Sequence, residues 1–165
     1  MNPVIRTYVL KGASASPSVV GELLNGVTDE DTVWDFRPDP ERFTLREVIS
    51  HLADWEEVWH GRATLILQED SPVLADVDEE QVAIDNNYAG AIPSATIARF
   101  NAGRSQVMNL LSAVPEESWN RTGQRPPMIG TLSLDDLLCL MYGHDGYHTG
   151  QIVEWLRLAQ ESAAG

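Results

Sequence analysis

Two segments of this chain open with the same start signal, and each continues with the periodicity of a long helix. Thr44 with Glu47, and Ser133 with Asp136, place a hydroxyl at a helix N-cap and a carboxylate three residues on, the reciprocal pairing of a capping box. Phe43 with Val48, and Leu132 with Leu137, occupy the two positions of a hydrophobic staple around those caps. Behind the first cap, Val48, His51, Trp55, Val58, Arg62 and Leu65 recur at spacings of three and four. Behind the second, Leu134, Leu137, Met141, His144, His148, Gln151, Ile152 and Trp155 do the same. Recurrence of this kind lays one stripe along a helix, and a stripe this apolar faces a core. The predicted helices run from Thr44 to about Gln68 and from Ser133 to about Gln160.

The rest of the chain is read around these two. Ser16-Pro17 is a capping residue followed by proline at the first helical position, predicting a helix through about Gly26. Val4 to Gly12 reads as an earlier turn or helix, although Thr7-Tyr8-Val9-Leu10 has some β character. Thr28 to Arg42 reads as a loop, and Glu69 to Pro93 as a polar connector with a short helix near Glu79–Tyr88. Ser94 to Val114 reads as a third long helix ended by Pro115, and Gly123 to Gly130, with two prolines, as a loop. At 165 residues and 43% hydrophobic content the chain suits one domain spanning 1–165. No strand alternation competes with four main helices, so the expected fold is all-α, a four-helix bundle.

The stripes turn three histidines inward. His144 and His148 are one helical turn apart, where two imidazoles close on one divalent cation. His51 faces inward on the other helix and meets them only if the two helices are neighbours. Three neutral imidazoles with a coordination position left open are the pattern of a catalytic rather than a structural metal. Burying three imidazoles is costly unless each lone pair finds a partner, and one cation serves all three. The competing reading is three core histidines satisfied by ordinary hydrogen bonds.

Asp54 lies three residues after His51 and Gln151 three after His148, so each is a candidate to orient an imidazole or touch a metal-bound water. Arg62, on the apolar stripe, is a candidate clamp for an anionic substrate group, or pairs with a carboxylate. Gly143, Gly146 and Gly150 fall beside the histidine face, where they leave room for substrate or allow close helix packing, including across a dimer interface. Two rival metal sites fare worse. A di-iron pattern built on Glu57…His60 and Asp145…His148 lacks further carboxylates, because Ser94 to Val114 holds no Asp or Glu. A zinc protease built on His144-Asp145-x-x-His148 has a base one methylene short, and little chain remains beyond it to supply a third ligand.

A net charge of −14 with 11 scattered basic residues argues against nucleic-acid binding. Met1–Arg6 lacks the pattern of a signal peptide and no apolar run is long enough to span a bilayer, so a cytoplasmic protein acting on a small molecule is expected. The single cysteine, Cys139, sits in an apolar run and reads as an inert buried thiol.

Phe43–Asp54 and Tyr142–Ile152, with Glu69-Asp70-Ser71-Pro72 and Leu111–Pro115 between them, resemble the DinB/YfiT-like superfamily of small bacterial four-helix bundles described as metalloenzymes. The resemblance implies an up-down-down-up topology with long crossover connections. It implies His51, His144 and His148 as ligands of a zinc or nickel ion, and a homodimer. It also implies chemistry with a low-molecular-weight thiol as cosubstrate, as in thiol S-transferases or a mycothiol-dependent isomerase, or else a hydrolase. The alternative is a non-catalytic stress-response or binding module whose metal is structural or regulatory.

Overall fold

The computed structural model describes residues 1–126 and 129–164. Its elements are α1 (Pro3–Leu23), α2 (Leu45–Gln68), the short α3 (Glu79–Asp85), α4 (Pro93–Ser112), a hairpin of β1 (Thr122–Arg125) and β2 (Gly130–Ser133), and α5 (Leu134–Ala164). The four long helices form a bundle in which α2 packs on α4 and α5, and α1 packs on α5 and α4. Helices consecutive in the chain, α1 and α2, thus lie diagonally opposed. No helix among the described residues is long and apolar enough to cross a membrane.

Both capping signals operate as the spacing predicts. The Thr44 amide donates to Glu47 at 2.7 Å and the Glu47 amide to Thr44 Oγ1 at 3.3 Å, closing the capping box of α2. At the start of α5 the Ser133 amide and hydroxyl both donate to Asp136, and the Asp136 amide donates back to Ser133 Oγ at 3.2 Å.

Two expectations are corrected. No helix begins at Ser16-Pro17: α1 starts at Pro3, capped by the Asn2 side chain, and runs straight through Pro17. Proline has no N–H, so the carbonyl of Ala13, four residues earlier, loses its helical partner. The Arg104 guanidinium of α4 takes that place, its Nη1 donating to Ala13 O at 2.5 Å. The second correction concerns Gly123 to Gly130, expected to be a loop. Its two ends are strands, with Thr122 paired to Ser133 and Arg125 to Gly130, while Pro127 and Met128 lie outside the described residues. The hairpin packs down because Gly123 lacks a side chain; a Cβ there would press on Leu74 and Ile66 at 3.0 and 3.1 Å.

Buried apolar residues gather in two clusters. One centres on Trp55, Trp59, Ile66, Val107, Leu137 and Met141, the other on Val20, Trp34, Ile49, Phe100, Ile152 and Trp155. Along each of α1, α4 and α5 the chain passes from one cluster to the other through a polar waist. Arg104 fills part of it. Its Nε and Nη2 hold Glu56 of α2 at 2.9 and 2.6 Å, and its Nη1 and Nη2 hold Asp145 of α5 at 2.6 and 3.0 Å. With Ala13 O, every helix of the bundle contributes one group to a cluster in which Arg104, Glu56 and Asp145 are at most 2% exposed. Gly103 permits the approach, since a Cβ there would overlap Glu56.

Candidate metal centre

His51 stands two turns into α2, on the face that the capping box aims at the bundle interior, and His144 and His148 stand on the facing side of α5. The three come together because α2 and α5 are neighbours. Their ring centroids are 4.6 to 4.9 Å apart, and one nitrogen from each lies within 4.8 Å of the others. No other His, Cys, Asp or Glu among the described residues joins the group.

Apolar rings enclose the imidazoles. Trp55 lies 4.2 Å from His51, centroid to centroid, and is stacked within 9° of the plane of His144 at 5.9 Å. Trp59 meets His144 edge-on, Phe43 leans on His51, and Tyr147 covers His148. This burial, with each imidazole's neighbours adding to it, pushes His51 down to about 3 and His144 to about 2. His148 is also lowered by burial, partly offset by its bond to Gln151. All three are therefore neutral near pH 7, the state in which imidazole binds a metal.

Gln151 decides which nitrogen of His148 is available. Its Oε1 lies 3.1 Å from His148 Nδ1, while its Nε2 donates to the Phe43 carbonyl at 3.3 Å. The amide oxygen can only accept, so Nδ1 carries the proton and the lone pair of Nε2 faces the other histidines. The Nε2 atoms of His51 and His144 are 2.9 Å apart, and the buried Nδ1 atoms of both rings have no partner among the described residues. Protein hydrogen bonds alone thus leave this cluster incomplete. Metal–nitrogen bonds of about 2.0–2.1 Å in a tetrahedral site place ligand nitrogens roughly 3.3 Å apart, a few tenths of an ångström from the His51–His144 separation. An all-imidazole donor set suits zinc, nickel or another late transition ion.

The cluster floors a cavity of about 340 Å³ whose wall also includes Arg42, Phe43, Glu79, Glu80 and Tyr147. A larger cavity of about 610 Å³, between the 26–36 segment and the end of α5, contains none of the histidines.

Two sequence candidates lie elsewhere. Asp54 orients no imidazole: its carboxylate accepts from Asn86 at 2.6 Å and Tyr88 at 2.8 Å and pairs with Arg99 at 2.5 Å, tying the 79–92 connector to α2. Arg62 is directed to the Ala75 carbonyl at 3.0 Å, and burial lowers its pKa. The arginine at the cavity is Arg42, from the loop before the cap, where no periodicity could mark it. Asp145, the base of the rival protease site, is taken up by Arg104. Cys139 is exposed rather than buried, beside Leu132 and Asp136 in a separate cavity, with its pKa raised first by partial desolvation and then by Asp136. Gly143, Gly146 and Gly150 border open space, not the cavity.

Sequence reasoning missed the Arg104 cluster, though its signal is present. Thr96, Phe100, Arg104, Val107 and Leu111 form the buried stripe of α4, and a cation on such a stripe requires carboxylates from its neighbours.

Comparison with known proteins agrees with this architecture. The chain is 26% identical over 141 residues to the Bacillus subtilis (strain 168) protein named "Putative metal-dependent hydrolase YfiT", covering 86% of this chain and 78% of that one. The solved YfiT structure, also a four-helix bundle, superposes with a TM-score of 0.88 at 21% identity, over 97% of this chain and 90% of that one. The mycothiol-dependent maleylpyruvate isomerase shares the fold at a TM-score of 0.72 and 13% identity, over 89% of this chain and 60% of the isomerase. The model of the DinB superfamily matches residues 14–152, a span that holds all three histidines and Arg104 with both of its carboxylates, and the chain belongs to that superfamily.

Proposed function

We propose that this protein is a metal-dependent enzyme in which His51, His144 and His148 hold one divalent transition ion, zinc or nickel, and that it transfers a low-molecular-weight thiol to an electrophilic small molecule. One observation carries the reading: three buried neutral imidazoles converge, no fourth ligand among the described residues joins them, and the group opens on a cavity. A site closed by four protein ligands would be structural; three leave a position for an exogenous group. When bound, the ion lowers the pKa of a coordinated thiol or water, or polarises a carbonyl. Gln151 holds His148 in the ligating tautomer, and Phe43, Trp55 and Tyr147 keep water from the imidazoles. Cys139 stands apart, so the thiol would come from solution. The thiol dependence of the isomerase with this fold supports the transfer reading, and the name of YfiT supports hydrolysis by a coordinated water as the alternative.

The test begins with metal content by inductively coupled plasma mass spectrometry. Near-stoichiometric metal in the wild type, absent from His144→Ala/His148→Ala, is expected. Thiol consumption in the presence of an electrophile, abolished by chelation, would then select transfer; metal-dependent ester or amide cleavage without thiol would select hydrolysis. Empty wild-type protein after incubation with zinc, nickel and cobalt would refute the metal reading.

A further inference from the structure

The walls of the histidine cavity carry charges of both signs, and those charges define what enters. Arg42 is the one cation among the described residues lining it. Its guanidinium lies over the Trp155 ring at 4.2 Å and donates through Nη1 to Glu154 at 3.0 Å, while its Nε is buried with no partner. The adjoining Phe43 carbonyl accepts from Trp155 Nε1 at 2.8 Å and from Gln151, so the segment bearing Arg42 is fixed to α5, the helix that bears two of the imidazoles. Elsewhere on the wall stand Glu79 and Glu80, from the first turn of α3, and Glu41 lines it next to Arg42. All three are exposed, and none of these carboxylates makes a hydrogen bond or ion pair with the described residues. At the floor, His51 is 1% exposed with its Nδ1 unpartnered.

A ligand with negative charge alone would satisfy Arg42 but face three glutamates, with Glu79 and Glu80 together on the wall of α3. One with positive charge alone would meet the Arg42 guanidinium as a like charge. Resting on the catalytic reading above, we infer that the cavity admits a small zwitterion: a donor group at the three imidazoles, a carboxylate on Arg42 and an ammonium at Glu79 and Glu80. Arg42 is then a specificity residue, and Phe43 and Tyr147 pack on the apolar body of the ligand. A guanidinium suits this role because its planar fork meets a carboxylate while its face stays on Trp155.

Four thiols test this on the cobalt-loaded full chain: 2-mercaptoethanol, 3-mercaptopropionate, cysteamine and L-cysteine. They share the sulfur donor and carry neither charge, the carboxylate, the ammonium, or both. Affinities are read from the cobalt absorption spectrum for wild type, Arg42→Gln and Glu79→Gln/Glu80→Gln. Comparing variant with wild type on the same thiol cancels differences in intrinsic chelation. Arg42→Gln should weaken 3-mercaptopropionate and L-cysteine about tenfold, the loss of one charge-assisted hydrogen bond, and leave the other two within about twofold. The double glutamine variant should weaken cysteamine and L-cysteine about threefold, less because these carboxylates are exposed. Uniform shifts across all four thiols, or no shift, would overturn the inference while leaving the metal enzyme intact. Cobalt that loads but binds no thiol would overturn the open-site reading and this inference together.

Discussion

The waist of the bundle holds two buried polar clusters that share α2 and α5 and differ in one respect. Around Arg104 the protein completes its own hydrogen bonding: Glu56, Asp145 and the carbonyl released by Pro17 together engage Nε, Nη1 and Nη2. Around the histidines it stops short: the Nδ1 atoms of His51 and His144 have no partners among the described residues, and two Nε2 atoms face each other. His144 and Asp145 are adjacent in sequence, yet one belongs to each cluster. Two imidazole lone pairs turned on each other repel unless a proton or a cation lies between them, so the facing Nε2 atoms mark the place where something other than protein is expected. The closed cluster braces the bundle; the open one leaves its imidazoles facing a cavity.

Breaking the closed cluster should cost most. Arg104→Ala leaves Glu56 and Asp145 buried without their counter-charge, and a loss of about 3–5 kcal/mol in urea unfolding is expected. Arg104→Met with Glu56→Met and Asp145→Met should recover part of it, because no charge is then left to desolvate, while the Ala13 carbonyl still lacks a donor. If Arg104→Ala alone is neutral, the cluster is not the brace described here.

Acid should act on the open cluster first. Folding lowers the pKa of His51 to about 3 and of His144 to about 2, so below their unfolded value near 6.5 the unfolded chain binds more protons than the folded one. Stability of the metal-free protein should therefore be level above pH 6.5 and fall as pH drops from there toward 3. Glu56 has the opposite sign: burial raises its pKa, so the folded state takes up its proton first and acidification through that range favours folding. Thermal melts of wild type and His51→Ala/His144→Ala across pH 7 to 4 separate the two, since the double variant should lose most of the acid dependence. An unchanged pH profile in that variant would place the acid sensitivity elsewhere.

Gln151→Ala sharpens the comparison with the smallest effect. It removes the partner that sets the His148 tautomer without removing a ligand, so metal affinity should fall by about 10–100-fold while the fold persists. The measurement is competition for cobalt or zinc against a chromophoric chelator. Affinity equal to wild type would show that Gln151 does not orient the ligand.

Much of the bundle is legible locally. Both capping boxes, the span of α2 and the inward faces of His51, His144 and His148 follow from spacing and from groups a few residues apart. The errors have one source. Pro17 reads as a helix start because a mid-helix proline costs about 3 kcal/mol in isolation, and only Arg104, reaching in from another helix, takes up the carbonyl it releases. Arg62 and Asp54 sit on the right helix, but Ala75 and the 86–99 region claim them. Arg42 escapes a reading by periodicity because it lies in a loop, and the hairpin escapes it because two prolines dominate its composition.

The amino-acid sequence by itself determined that α2, α4 and α5 are helical, where α2 and α5 start and which of their faces are buried, because helix period and capping depend on neighbours within a turn or two. Only the tertiary structure decided that α2 and α5 adjoin, that Arg104 gathers one group from each helix, and that Arg42 rather than Arg62 stands at the histidines. Those contacts join residues tens of positions apart, and packing, which no local spacing encodes, selects among the partners each buried charge could have taken.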